Sequence, residues 1–165
     1  MDLRTVRILV VDDHQAMRDI LRALLYGLGA RQVAEATSAK AALEHLMLNP
    51  VGLLLADHDL GGTSGVELIR TVRREPSCRN RKVPIVMVSG RAEPAVILAA
   101  RDAGVDEFLV KPLTPAGLVR KLSLALEGRR PFVETGGYVG PERRLRLARA
   151  PAAHDRRRPQ ASRHA

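Results

Sequence analysis

Short apolar runs alternate with amphipathic stretches five times along the first three quarters of the chain. The runs are Ile8–Val11, a weak Val33–Ala34, Leu53–Ala56, Ile85–Val88 and Phe108–Val110. Three of them are apolar on four consecutive residues, which suits strands covered on both faces, as in a parallel sheet. Between the runs the spacing turns helical. Met17, Ile20, Leu21, Leu24, Leu25 and Leu28 predict one inward face, and Gly29 is a stop signal. A second helix is predicted over Ala39–Leu48, ended by Asn49-Pro50. A third, over Val66–Arg74, presents Leu68, Ile69 and Val72 and ends before Pro76. A fourth runs Pro94–Ala103 and stops at Gly104. The fifth opens with Thr114 as N-cap and Pro115 at its first position. It turns Leu118, Leu122, Ala125 and Leu126 inward, and Gly128 follows its end. Sequential β-α units of this length imply right-handed crossovers and an α/β sandwich.

The periodicity stops at Arg129. The remainder is rich in Arg, Pro, Gly and Ala and has no apolar pattern long enough for a second core. The chain therefore divides into a domain over residues 1–128 and a basic, largely disordered C-terminal tail over 129–165. Charge supports that division. Of the net +9, the first 128 residues hold 17 basic and 15 acidic side chains, the last 37 hold ten and three. The high pI belongs to the tail, so it does not make the body a nucleic-acid binder. No apolar run approaches the roughly 18–20 residues of a membrane span. The first residues, MDLRTVRILVVDD, lack a signal-peptide layout, so a cytoplasmic protein is the expectation. Cys78 is the only cysteine and lies in a stretch that reads as a polar loop, where an inert thiol is expected.

In an open parallel sheet, ligands sit at the carboxyl ends of the strands. Asp12 and Asp13 follow the first run, Asp57 and Asp59 the third, Ser89 and Gly90 the fourth, and Lys111-Pro112 the fifth. Each alone reads as a solvated loop cap or a surface side chain; four strands ending this way at one edge do not. Clustered carboxylates disfavour each other's ionisation unless a cation neutralises them. An all-oxygen set suits a hard divalent ion, Mg²⁺ or Mn²⁺. One carboxylate could then attack a phosphoryl group, with Ser89 and Lys111 holding its oxygens.

The stretches VVDDH (Val10 to His14), LLLADHDLGGTSG (Leu53 to Gly65), VPIVMVSG (Val83 to Gly90) and FLVKPL (Phe108 to Leu113) resemble the receiver domain of two-component response regulators, most closely the stand-alone CheY-like type. The resemblance spans roughly Arg4 to Glu127. It implies a flavodoxin-like doubly wound (βα)5 fold with a five-stranded parallel sheet in the order 2-1-3-4-5. It implies that Asp57 is the phosphoacceptor. Asp13, Asp57 and the backbone carbonyl of Asp59 would ligate the metal, with Asp12 acting mostly through water. Lys111 would pair with the phosphoryl group. Ser89 would swing toward it while Phe108 changes rotamer, and the face of the fourth helix, fifth strand and fifth helix would rearrange to control a downstream protein. The donor would be a sensor histidine kinase or a histidine phosphotransfer protein.

The chain departs from the family's usual pattern at three places. Leu60-Gly61 stands where Met-Pro is common, giving that loop more freedom. Phe108 replaces a common Tyr, and Gly90 stands where Ala is usual, which keeps access to the site open. Asp59 and Arg91, two residues past Asp57 and Ser89, are expected to pair across the site and slow hydrolysis by blocking water. His14 and His58 read as rim residues and His45 as a surface one. Asp57-His58-Asp59 also resembles the Asp-x-Asp of haloacid dehalogenase phosphatases, but position 61 is Gly where that pattern needs Thr. The tail partner is open: the alternative function is a receiver whose basic tail binds nucleic acid or another anionic partner, and PFV with GGYVGPERR reads as a docking motif.

Overall fold

The structure, a computed structural model, describes residues 1–143. Five strands carry the core: β1 (Arg7–Val11), β2 (Gln32–Ala36), β3 (Leu53–Asp57), β4 (Ile85–Ser89) and β5 (Glu107–Val110). They alternate with α1 (Gln15–Gly27), α2 (Ala39–Leu48), α3 (Gly65–Arg74), α4 (Pro94–Ala103) and α5 (Pro115–Leu126). All five strands pair in parallel in the order β2-β1-β3-β4-β5, as expected.

The continuous apolar runs are explained by a sheet covered on both sides. Successive side chains point to opposite faces of a strand. Leu9, Val11, Leu54, Ala56, Ile85 and Met87 meet α2, α3 and α4. Ile8, Val10, Leu53, Leu55, Val86 and Val88 meet α1 and α5. Every residue of β3 and β4 is buried, so the strands that end in Asp57 and Ser89 are packed on both faces. Truncating Leu54 to Ala would cost about 2–5 kcal/mol.

The helices start where hydroxyls can cap them. Ser38, Ser64 and Thr114 accept from the amides of Ala41, Val66 and Gly117. The α1 stripe is narrower than its spacing suggests: Leu21 and Leu25 are buried, Met17, Leu24 and Leu28 pack at the margin, and Ile20 is exposed. Arg18 takes an inward place instead, buried with each of its three guanidinium nitrogens hydrogen-bonded. It donates to the Asp12 carbonyl (2.8 Å), to Glu35 on β2 (3.0 Å) and to Gln15. Cys78 also departs from expectation. The loop after α3 folds inward, burying the thiol against the Leu46 carbonyl, with Asn80 beside it donating to the Leu46 and Asn49 carbonyls.

The larger correction concerns the start of the tail. Residues expected to be disordered form an antiparallel hairpin of β6 (Phe132–Thr135) and β7 (Tyr138–Pro141). Gly136 and Gly137 turn it, both at positive φ (51° and 84°), as a two-residue hairpin turn of this hand requires. So short a hairpin is marginal by itself. This one is held because Tyr138 is buried, and because Arg73 of α3 and Lys82 both lie over the Phe132 ring. The tail readings that fall on residues 144–165 lie outside the described residues. Among the described residues no helix is long and apolar enough to cross a membrane.

Candidate functional site

The carboxyl ends of β1, β3, β4 and β5 bring Asp12, Asp13, Asp57, Ser89 and Lys111 to one edge of the sheet. Asp57 is the last residue of β3 and is almost fully buried. Its carboxylate is held from two sides: Oδ1 lies 2.7 Å from Lys111 Nζ, and Oδ2 accepts from the Asp59 amide at 2.9 Å. Lys111 also reaches Asp12 Oδ2 at 3.5 Å, so one ammonium spans β1 and β3. Burial alone would lower the Lys111 pKa. The hydrogen bond and charge of Asp57, with Asp12 behind it, outweigh that and raise it above the ordinary lysine value. Lys111 is thus a firmly charged partner at neutral pH. The Lys111-Pro112 bond is cis, and the Lys111 amide donates to the Ser89 carbonyl at 2.8 Å.

Asp12 is wholly buried, and Oδ1 accepts from the His14 amide. Asp13 is half-buried, and its Oδ1 is the only buried side-chain oxygen or nitrogen among the described residues left without a hydrogen bond. His14 Nδ1 stands 2.7 Å from it. The ligand atoms of Asp12, Asp13 and His14 lie within 4.8 Å of one another. A buried carboxylate oxygen with no donor is costly unless something positive meets it. Asp13 Oδ1, which accepts no hydrogen bond and has only the His14 ring beside it, and the adjacent Asp12 carboxylate offer hard oxygens of the kind Mg²⁺ takes.

Ser89 is buried at the end of β4, where its hydroxyl accepts from the Arg91 amide at 3.0 Å. Nothing lies within 4 Å of where a Gly90 side chain would begin, in keeping with an open approach. Phe108 is half-buried, facing Met87 in the β4–β5 register and packed against the core on the α2–α4 side. Asp59 and Arg91 are both exposed on the rim, and no ion pair joins them, so the expected pairing across the site is not present in this structure.

Two positioning features were not anticipated. A side chain on Gly65 would place its Cβ 2.0 Å from the Asp57 carbonyl oxygen. The Gly65 amide donates to His58 O (2.8 Å), so α3 starts hard against the strand that ends in Asp57. The LGGTSG spacing carried that signal only as a turn. The second is Arg18, whose bond to the Asp12 carbonyl fixes the backbone beneath the acid pair. Its only trace in the sequence is an Arg on the predicted inward side of α1.

The response regulator receiver domain model matches residues 8–123. Among curated proteins, the chain is 35% identical over 122 residues to the chemotaxis protein CheY of Pseudomonas aeruginosa, covering 74% of this chain and 97% of that protein. Among solved structures, it resembles the receiver domain protein (CheY-like) of Methanospirillum hungatei, with a TM-score of 0.67 and 28% identity over 74% of this chain and 94% of that one. It also resembles the receiver domain of the sensor histidine kinase PA1611 from Pseudomonas aeruginosa, with a TM-score of 0.66 and 25% identity, covering 74% of this chain and 98% of that one. In that structure a magnesium ion is coordinated in the active-site cleft.

Proposed function

The chain belongs to the response regulator receiver domain family, and from that premise we propose that Asp57 accepts a phosphoryl group from a phosphohistidine donor, a sensor histidine kinase or a histidine phosphotransfer protein. The observation that carries this is the grip on the Asp57 carboxylate, with Lys111 on one oxygen and the Asp59 amide on the other. A carboxylate held so cannot rotate away, which favours in-line approach to phosphorus. An Asp57 oxygen forms the new P–O bond as the donor's N–P bond breaks. The imidazole leaves with that electron pair and takes a proton from water. Lys111 stays charged throughout and balances the phosphoryl oxygens.

Asp13, Asp57 and the Asp59 carbonyl would hold Mg²⁺ or Mn²⁺, with Asp12 assisting through water. The ion supplies a hard positive charge for the phosphoryl oxygens. The buried Asp13 Oδ1, which accepts no hydrogen bond, supports this donor set. Ser89 Oγ, released from the Arg91 amide, donates to a phosphoryl oxygen, and Phe108 repacks behind it. The output is a changed face of α4, β5 and α5 that selects a downstream protein. The only chemistry performed is the protein's own phosphotransfer and dephosphorylation. Incubation with a phosphorylated histidine phosphotransfer protein tests this: label passes to the wild type and not to Asp57→Asn. Label retained equally by both would reject it.

A further inference from the structure

The hairpin that follows α5 is seated on the far end of the helix that the phosphorylation site would have to move. The family match ends at residue 123, before the hairpin begins. Its Phe132–Thr135 strand and turn reach α3 and the loop after it, through Arg73, Arg74, Arg81 and Lys82, while β7 meets the last turn of α4. Gly104 caps that helix in the left-handed conformation (φ 101°), and any Cβ there would lie 2.9 Å from the Val139 carbonyl oxygen of β7. From the other side, a Cβ on Gly140 would come within 2.8 Å of the Gly104 Cα. Helix cap and hairpin thus meet backbone against backbone.

Side chains lock that contact. Arg143 lies 2.7 Å from Asp102 in the last turn of α4, and its guanidinium covers the Tyr138 ring at 4.0 Å. The Tyr138 hydroxyl donates to the Pro141 carbonyl at 2.6 Å. Arg130 donates to the carbonyls of Val105 and Asp106, just beyond the cap, and to Glu142. Beneath the hairpin, Arg73 is buried and holds the Gly104 carbonyl twice, at 3.0 and 2.9 Å.

The other end of α4 follows directly from the site. Ser89 leads through Gly90 and Arg91 to Pro94, the first residue of the helix. The Ser89 hydroxyl now accepts from the Arg91 amide and must leave it to reach a phosphoryl oxygen. That rearranges the short loop entering α4. A ten-residue helix is a rod of about 15 Å, so displacement at its start is carried to its end.

We propose that the hairpin Phe132–Pro141 is an intramolecular strap on the C-terminal turn of α4, and that its docking opposes occupation of Asp57 by a phosphoryl group. The proposal rests on Asp57 being the phosphoacceptor and adds a regulator of that same site. With the strap seated, α4 can pivot only against Gly104. With it released, the whole helix can shift. Because such coupling is reciprocal, filling the site loosens the strap by the factor by which the strap weakens filling.

The test uses the full chain with Mg²⁺ and beryllofluoride as phosphoryl mimic, in the wild type, Tyr138→Ala and the milder Arg143→Gln. Titration calorimetry reads affinity, and hydrogen exchange reads the hairpin amides. The expected result is beryllofluoride binding on the order of 5-fold tighter or more in both variants, with faster hairpin exchange in the wild type once the mimic is bound. Equal or weaker binding in the variants, or hairpin exchange that does not accelerate, overturns the strap while leaving the phosphoacceptor reading intact. Beryllofluoride that binds Asp57→Asn as well as the wild type overturns that reading and the strap with it.

Discussion

Lys111 Nζ stands 2.7 Å from Asp57 Oδ1, joining the ends of β5 and β3 across the intervening strand β4. The contact balances the Asp57 charge before any phosphoryl group arrives. Lys111→Met should therefore slow phosphorylation of Asp57 by about 100-fold, the scale of losing one preorganised charge-stabilising donor. Single-turnover phosphotransfer measures it, and an unchanged rate would remove Lys111 from the reaction.

Gly65 bears on the same carboxylate through the backbone. With 2.0 Å between an added Cβ and the Asp57 carbonyl oxygen, Gly65→Ala must push α3 or β3 aside. A loss of about 1–3 kcal/mol is expected from overpacking, together with weaker Mg²⁺ binding because Asp57 shifts. Denaturant unfolding and metal titration read the two effects separately.

Arg73 is buried and serves the carbonyls of Arg81, Val83 and Gly104 and the carboxylate of Asp106. Burial pushes its pKa down to about 10, with Asp106 opposing that, so it remains charged at neutral pH. Burial likewise raises the Asp106 pKa, which Arg73 partly offsets. Arg73→Met removes the buried partner of Asp106, which keeps only the Ile85 amide, and of these carbonyls, and should cost about 3–5 kcal/mol in chemical denaturation.

The absence of a bond between Asp59 and Arg91 predicts independent behaviour. Asp59→Asn and Arg91→Ala should change the phosphoryl lifetime additively, within about 0.5 kcal/mol in a double-mutant cycle. A larger coupling would show that the two rim charges meet once the site is filled.

The strap should respond to acid. The Arg143 hydrogen bond holds the Asp102 carboxyl below its usual 3.8. A depressed carboxylate contributes stability that is complete above its unfolded value and fades as pH falls through the folded one. Hairpin docking should thus be constant from neutral pH down to about 4 and weaken below it. Asp102→Asn should reduce that acid dependence, leaving what the Glu134–Arg81 pair contributes, as followed by the Tyr138 ring signals in NMR.

Most of the fold was legible because each strand's apolar run and each helix's stop signal state one requirement in a few adjacent residues. Asn49-Pro50 and Gly104 end α2 and α4 where the pattern placed them. The strand-end acids, Ser89 and Lys111 were legible for the same reason. The hairpin was not, although Gly136-Gly137 between FVET and YVGP is a turn signal. Its apolar side chains are too few to announce a core, and its partners, Arg73 and the Gly104 cap, lie far away in sequence. Cys78 was misplaced and Arg18 passed over for the same reason: their burial depends on carbonyls of Leu46 and Asp12 that no local pattern reveals.

The central claim is that Asp57 is the phosphoacceptor of a metal-dependent site, and a small-molecule phosphodonor tests it without any partner protein. The full chain is incubated with phosphoramidate and Mg²⁺ and mapped by mass spectrometry under acidic conditions. The wild type should gain one phosphoryl group on the peptide containing Asp57, and lose that gain in EDTA or as Asp57→Asn. A phosphoryl group found on Asp57→Asn, or one acquired equally without metal, would contradict the account.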